Sequence, residues 1–207
     1  MPEIRNHKND LPDLFHYNNV KAIAIDTETA GLHLQRDRLC VVQISPGDGS
    51  ADIIQIEPGK IAAPNLQTLL QDSSIEKIFH YGRFDIAILL HNFGSLNGKI
   101  FCTKIASRLV RTYTDKHGLS ALCQELLGIQ LSKQSQCSDW ARPELTQAQI
   151  EYAAADVLYL HALREVLQNR LERENRDFLA QSCFDFLPAR AALDLYGWSE
   201  EDIFAHK

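Results

Sequence analysis

The sequence predicts a mixed α/β class, on three observations. Four short runs rich in β-branched and aromatic residues, 21–28, 39–45, 51–56 and 76–81, are separated by Gly and Pro clusters such as Pro46-Gly47-Asp48-Gly49. The first three follow one another through short polar turns, the pattern of an antiparallel meander. Beyond them, strand-like runs alternate with segments of helical apolar spacing.

Helices are expected in order at 65–71, 85–92, 103–112 and 119–127, the last stopped by Gly128. Thr146-Gln147-Ala148-Gln149 has the spacing of a capping box, so the longest helix is expected to start there and run to about Glu174. A further helix is expected over 178–195, with Pro188 as a break or kink. No repeat, low-complexity stretch or linker divides the 207 residues. One domain over 1–207 is therefore predicted, with a motif-bearing core at about 21–171 and a helical tail at about 175–207.

Hydrophobic residues make up 45% and charged residues 23% of the chain, which matches a soluble globular protein. A net charge of −6 speaks against gripping long nucleic acid through many phosphates, so any nucleic-acid substrate is expected to be short or locally bound. Five cysteines, Cys40, Cys102, Cys123, Cys137 and Cys183, form no C-x-x-C pair, which predicts reduced thiols and a cytoplasmic location. The segment from Met1 to Leu14 alternates charged and polar residues, and no apolar run nears the ~20 residues that span a bilayer. Neither a secretion signal nor a membrane segment is expected.

Alternate side chains on a strand share a face, so Asp26 and Glu28 point the same way with Cα atoms about 6.6 Å apart. Both reach one cation. Ala22 and Ala24 precede them on that face and Ile23 and Ile25 fill the other, so an apolar strand delivers two acids that need compensation. Tyr152 and Asp156 are i and i+4 on the flank of the long helix, beside the buried side marked by Ile150, Ala153, Val157 and Leu160. Asp85 ends the run His80-Tyr81-Gly82-Arg83-Phe84-Asp85, a strand-to-helix junction of the kind that carries functional groups. Taken singly, each acid has an ordinary reading: a strand-end pair, a helix-start residue, a salt-bridge partner. All-oxygen ligands from several elements favour Mg²⁺ or Mn²⁺ over zinc.

Asp26-x-Glu28, Asp85 and Tyr152-x-x-x-Asp156, in this order on strand, helix start and helix, resemble the DEDD exonuclease superfamily in its tyrosine-bearing branch. Ser138-Asp139-Trp140, with Lys133 before it and Ala153-Ala154-x-Asp156 after it, is similar to ribonuclease D. The extra helical domains of ribonuclease D are not expected in this length. Over nearly all of the chain the resemblance is to the NrnC-type nano-ribonucleases, carried by Arg36-Asp37-Arg38-Leu39-Cys40, Cys102-Thr103-Lys104-Ile105-Ala106-Ser107 and Asp202-Ile203-Phe204-Ala205-His206. The resemblance implies a ribonuclease H-like fold, a mixed sheet flanked by helices. It also implies two divalent cations, Mg²⁺ or Mn²⁺, 3′-5′ hydrolysis of very short single-stranded RNA, dinucleotides above all, and a homo-octamer. By the same resemblance Asp26 bridges the cations, Glu28 and Asp156 complete one coordination sphere, and Asp85 holds the other through water. A tyrosine hydroxyl with a pKa near ~10 is a poor base at neutral pH, so Tyr152 is assigned to orienting the attacking water.

Substrate contacts are less sharply marked. Leu32, in Asp-x-Glu-x-x-Gly-Leu, is similar to a leucine that wedges between bases in oligoribonuclease, and its alternative is simple turn packing. Lys104, Arg108 and Arg111 fall at i, i+4 and i+7 as one basic face, either a phosphate site or a solvated helix surface. Lys133, Gln134, Ser135 and Gln136 form a polar loop suited to a terminal phosphate. His80 is a further candidate, against the commoner reading of a satisfied histidine at a strand end. The aromatic C-terminal segment, Phe184 to Trp198, either closes the core or meets another subunit. Two other functions stay open: a broader ribonuclease D-like exonuclease on longer RNA or DNA, and a binding module without catalysis, against which the complete set of acids argues.

Overall fold

The computed structural model describes residues 2–59, 62–131 and 138–206. Its six strands are β1 (Glu3–Lys8), β2 (Ala22–Thr29), β3 (Leu39–Ser45), β4 (Ser50–Gln55), β5 (Glu76–Phe79) and β6 (Ile100–Cys102), ordered β1-β4-β3-β2-β5-β6 in one sheet. β2, β3 and β4 make the expected antiparallel meander, while β1 runs parallel to β4, β5 to β2 and β6 to β5. The sheet is mixed because the later strands return through helices, a connection that parallel pairing requires.

Two strands were not expected. β1 alternates charged and polar residues without an apolar face of its own, yet it pairs in full register along β4, Glu3 against Ser50 through Lys8 against Gln55. β6 has three residues, too few to show a period.

The helices are α1 (Pro64–Gln71), α2 (Arg83–Phe93), α3 (Thr103–Val110), α4 (Leu119–Leu122), α5 (Gln147–Leu158), α6 (Leu160–Arg173) and α7 (Asp177–Leu195). α4 widens into a π-type turn over Cys123–Leu127 and stops at Gly128, whose φ of 72° is the left-handed cap that glycine supplies without strain. The capping box at Thr146 is present: its side chain accepts from the Gln149 backbone N–H, and the Gln149 side chain accepts from the Thr146 N–H. The single long helix is corrected to two. Tyr159, at φ −104° and ψ −3°, breaks it, so α5 packs on β2, β3 and β4 while α6 turns toward β5 and α3. Pro188, expected as a break or kink, does not break the last helix: α7 runs through it.

Each residue pair across the meander shares a face, which divides the functional groups. Asp26, Glu28, Val41 and Gln43 lie on the face that α5 covers; Ile25, Thr27, Val42, Ile44 and Asp52 lie on the other. Ile23, Ile25 and all of β3 are buried. Among the described residues, Cys40, Cys102 and Cys123 are buried free thiols and Cys183 is an exposed one. No described helix is long and apolar enough to cross a membrane.

Candidate metal centre and nucleotide cleft

β2, α2 and α5 end at one cleft of about 1170 Å³, lined by Asp26, Glu28, Asp85, Tyr152 and Asp156 together with Leu32, His80, Tyr81 and Lys104. The carboxylates of Asp26, Glu28 and Asp156 each place an oxygen within 4.8 Å of the others. Asp85 is buried beside them but outside that trio, and one of its oxygens accepts from the Thr27 hydroxyl at 2.6 Å. Tyr152 lies one turn before Asp156 on the same flank of α5 and opposes the rise in its pKa. The buried ring of Trp140 backs Tyr152, with centroids 6.1 Å apart.

No lysine or arginine pairs with these four acids among the described residues. Burial and the charges of Asp85, Asp156 and Glu28 push Asp26 well above the ordinary carboxylate range. Burial, then Asp156 and Asp85, pushes Glu28 up to about 9. Burial raises Asp156 and Asp85 too, against the opposing effects of the Tyr152 hydroxyl on the first and the Thr27 hydrogen bond on the second. A group of hard oxygen donors that repel one another, uncompensated by protein cations, fits a small divalent cation such as Mg²⁺ or Mn²⁺.

The far wall of the cleft comes from the β5–α2 junction. Tyr81 sits at φ 65°, a left-handed conformation that costs an aromatic residue energy, and its side chain is 51% exposed. Gly82 follows because a Cβ there would meet the Phe79 Cβ at 2.6 Å. The Lys104 ammonium lies over the Tyr81 ring, 3.8 Å from its centroid. Sequence reasoning passed over Tyr81; the glycine after a strand-end aromatic was the available signal. His80 Nδ1 lies 2.9 Å from the Thr103 hydroxyl, which itself donates to the Phe79 carbonyl. His80 therefore carries its proton on Nδ1, and burial together with Lys104 holds its pKa down to about 3. Leu32 is 83% exposed at the cleft.

The basic face is corrected. Lys104 lines the cleft, but Arg108 is exposed one turn on and does not. Arg111 is buried: its guanidinium pairs with Glu125 and donates to the Lys116 carbonyl at 2.7 Å and the Ser107 hydroxyl at 3.0 Å. α3 stops at Val110, so Arg111 is not on its helical face. Lys133, Gln134, Ser135 and Gln136 lie outside the described residues. In the C-terminal segment Phe184 and Leu187 are buried, while Phe186, Tyr196 and Trp198 are exposed. Its end reaches the cleft, where Arg83 holds Asp194 through two bonds of 2.6 and 2.7 Å.

Residues 7–172 match the family of 3′-5′ exonucleases. Ribonuclease D of Granulibacter bethesdensis is 40% identical over 154 residues, which cover 74% of this chain and 38% of that protein. The chain spans about two fifths of the length of the curated ribonuclease D relatives it matches. Among solved structures, Brucella melitensis NrnC bound to pGG is 63% identical over the whole of both chains, with a TM-score of 0.96. The same protein with bound Mg²⁺ is 62% identical, covering 99% of this chain and 100% of that one, with a TM-score of 0.94.

Proposed function

Because the chain belongs to the NrnC nucleases of the 3′-5′ exonuclease family, we propose that it is a 3′-5′ exoribonuclease that hydrolyses very short RNA, dinucleotides first, to mononucleotides. The observation that carries this reading is the trio Asp26, Glu28 and Asp156 at the floor of a nucleotide-sized cleft, with Tyr152 beside it.

Asp26, Glu28 and Asp156 would hold one divalent cation, and Asp26 with Asp85 a second. When bound, such cations offset the charge of the scissile phosphate, lower the pKa of an attacking water and stabilise the departing 3′ oxygen. Thr27 fixes the Asp85 carboxylate. Burial and the neighbouring acids push the Tyr152 hydroxyl up, so it stays protonated and orients the water rather than removing its proton. Leu32 wedges beside a base, and the strained, exposed Tyr81 ring offers a second base a stacking face. Lys104 supplies positive charge for a 5′ phosphate. His80, its Nδ1–H committed to Thr103, leaves Nε2 to accept from a sugar hydroxyl.

The preference for short substrates follows from charge. The net charge is −6, and of the lysines and arginines lining the cleft among the described residues, Arg36 and Arg83 are already paired with Asp37 and Asp194, which leaves Lys104. A further phosphate would lack an unpaired cation. The likeness to NrnC bound to pGG supports the same length class. The whole chain acts as one catalytic domain in the cytoplasm, and its exposed C-terminal aromatics Tyr196, Trp198 and Phe204 suit burial in an octamer, whose mass light scattering measures.

A timed digest of 5′-labelled RNAs from dinucleotides to about 20-mers, with matched DNA, with Mg²⁺ or Mn²⁺ and with chelator, tests the reading. Dinucleotides should disappear fastest and chelation should stop the reaction. Persistence of dinucleotides while 20-mers vanish would favour the broader exonuclease, and metal-independent inactivity a binding module.

A further inference from the structure

Ligating carboxylates are usually held by hydrogen bonds of their own. Asp85 has the Thr27 hydroxyl. Asp26, which feels the charges of Asp85, Asp156 and Glu28, has no side-chain hydrogen-bond donor among the described residues. Directly across the ladder from it, on the same face, stands Gln43. Gln43 is 0% exposed, and both its side-chain amide nitrogen and oxygen are without a partner among the described residues. Opposed residues on an antiparallel pair have Cβ atoms about 5 Å apart, within reach of a glutamine side chain.

An unpartnered buried amide costs the fold about 1–3 kcal/mol. On its face Ile53 lies opposite on β4 and Val41 two residues away on β3, while the nearby polar side chains are spent elsewhere, Ser45 on the Ser50 carbonyl and Gln55 on the Arg142 carbonyl. Leu or Met would fill the same space without that penalty. The fold alone gives no reason for an amide here. The adjacent carboxylate does.

We propose that Gln43 is a positioning residue for Asp26: its side-chain amide donates to the cation-bound carboxylate of Asp26 and holds it in the ligating orientation. The proposal rests on the reading of Asp26, Glu28 and Asp156 as a divalent-cation site. A charge-assisted hydrogen bond of this kind is about twice as strong as a neutral one, so its effect falls on cation affinity rather than on folding. Gln43 itself touches neither substrate nor cation.

Gln43→Leu and Gln43→Met, each compared with wild type and Asp156→Asn, are titrated with Mn²⁺ and Mg²⁺ by calorimetry after metal stripping, and melted in chelator. Both variants should bind the cations about tenfold more weakly. In chelator they should melt at or up to about 4 °C above the wild-type temperature, because the orphaned amide is gone. Affinity within about twofold of wild type, or a lower melting temperature or failure to fold in both variants, would overturn the proposal. A wild type that takes up no cation, matching Asp156→Asn, would overturn the cation-site reading itself and this inference with it.

Discussion

The two faces of one sheet each bury an acid, on opposite terms. On one face Asp52 accepts from Arg5 through two bonds of 2.8 Å, lies 2.7 Å from the His7 ring nitrogen, and accepts from the Tyr17 hydroxyl. Burial pushes its pKa up, and the bonds from Arg5, Tyr17 and His7 outweigh that and hold it below the ordinary value. On the other face Asp26 and Glu28 join Asp156 with no cation partner among the described residues, and all three are pushed up. An acid that serves the fold arrives with its counter-charges; an acid that serves a ligand waits for them. Number of carboxylates matters less than whether the chain supplies their partners.

Substitution should separate the two faces by what is lost. Asp156→Asn removes a charge from the proposed cation site at nearly constant volume, so hydrolysis of a dinucleotide should fall on the order of 1,000-fold while melting in chelator holds or rises. Near-normal turnover in the folded variant would erase the distinction. Asp52→Asn should do the reverse, destabilising by about 3 kcal/mol through the stranded Arg5 and leaving cation affinity intact. Its acid limb sharpens the case. Asp52 is depressed in the folded state, so its contribution is complete above about pH 4 and is lost as pH falls through the lower folded value; the variant should lose that part of the acid transition in pH-dependent denaturation.

Adding Mg²⁺ to metal-stripped protein at about 100 times its Kd should stabilise by about 2.7 kcal/mol, and Asp52→Asn should keep the whole of that gain. Loss of the gain in that variant would mean that the two faces are coupled. The smallest effect is expected from Tyr152→Phe: calorimetric cation affinity unchanged, with turnover down about tenfold, equivalent to ~1.4 kcal/mol. A variant that no longer binds metal would place Tyr152 among the groups that build the site rather than those that use it.

The acid side of this comparison was legible in the sequence because strand and helix periods carry it directly. Asp26 and Glu28 two apart, and Tyr152 and Asp156 four apart, meet as spacing requires. The capping box at Thr146 was equally local. Arg111 was misread because the helical period was carried one residue past the end of α3, where the chain turns and the guanidinium folds inward. β1 was invisible for a different reason: its stability comes from pairing with β4, 42 or more residues away in sequence, and it brings Arg5 and His7 to Asp52. Tyr81 and Gln43 take their significance from neighbours that only the tertiary structure assembles.

The break at Tyr159 makes the two halves of the expected long helix mechanically separable. One residue inserted into an α-helix turns everything beyond it by about 100°. Placed within α5 between Tyr152 and Asp156, such an insertion would swing one of them off the common flank and dismantle the centre. Placed in α6 ahead of Arg164, it would tear that side chain from Glu76, 2.9 Å away, and leave Asp156 in register. The buried leucines of α6, Leu163, Leu167 and Leu171, would turn out of the core as well, so the cost would fall on folding, whereas an insertion in α5 would fall on the acid cluster.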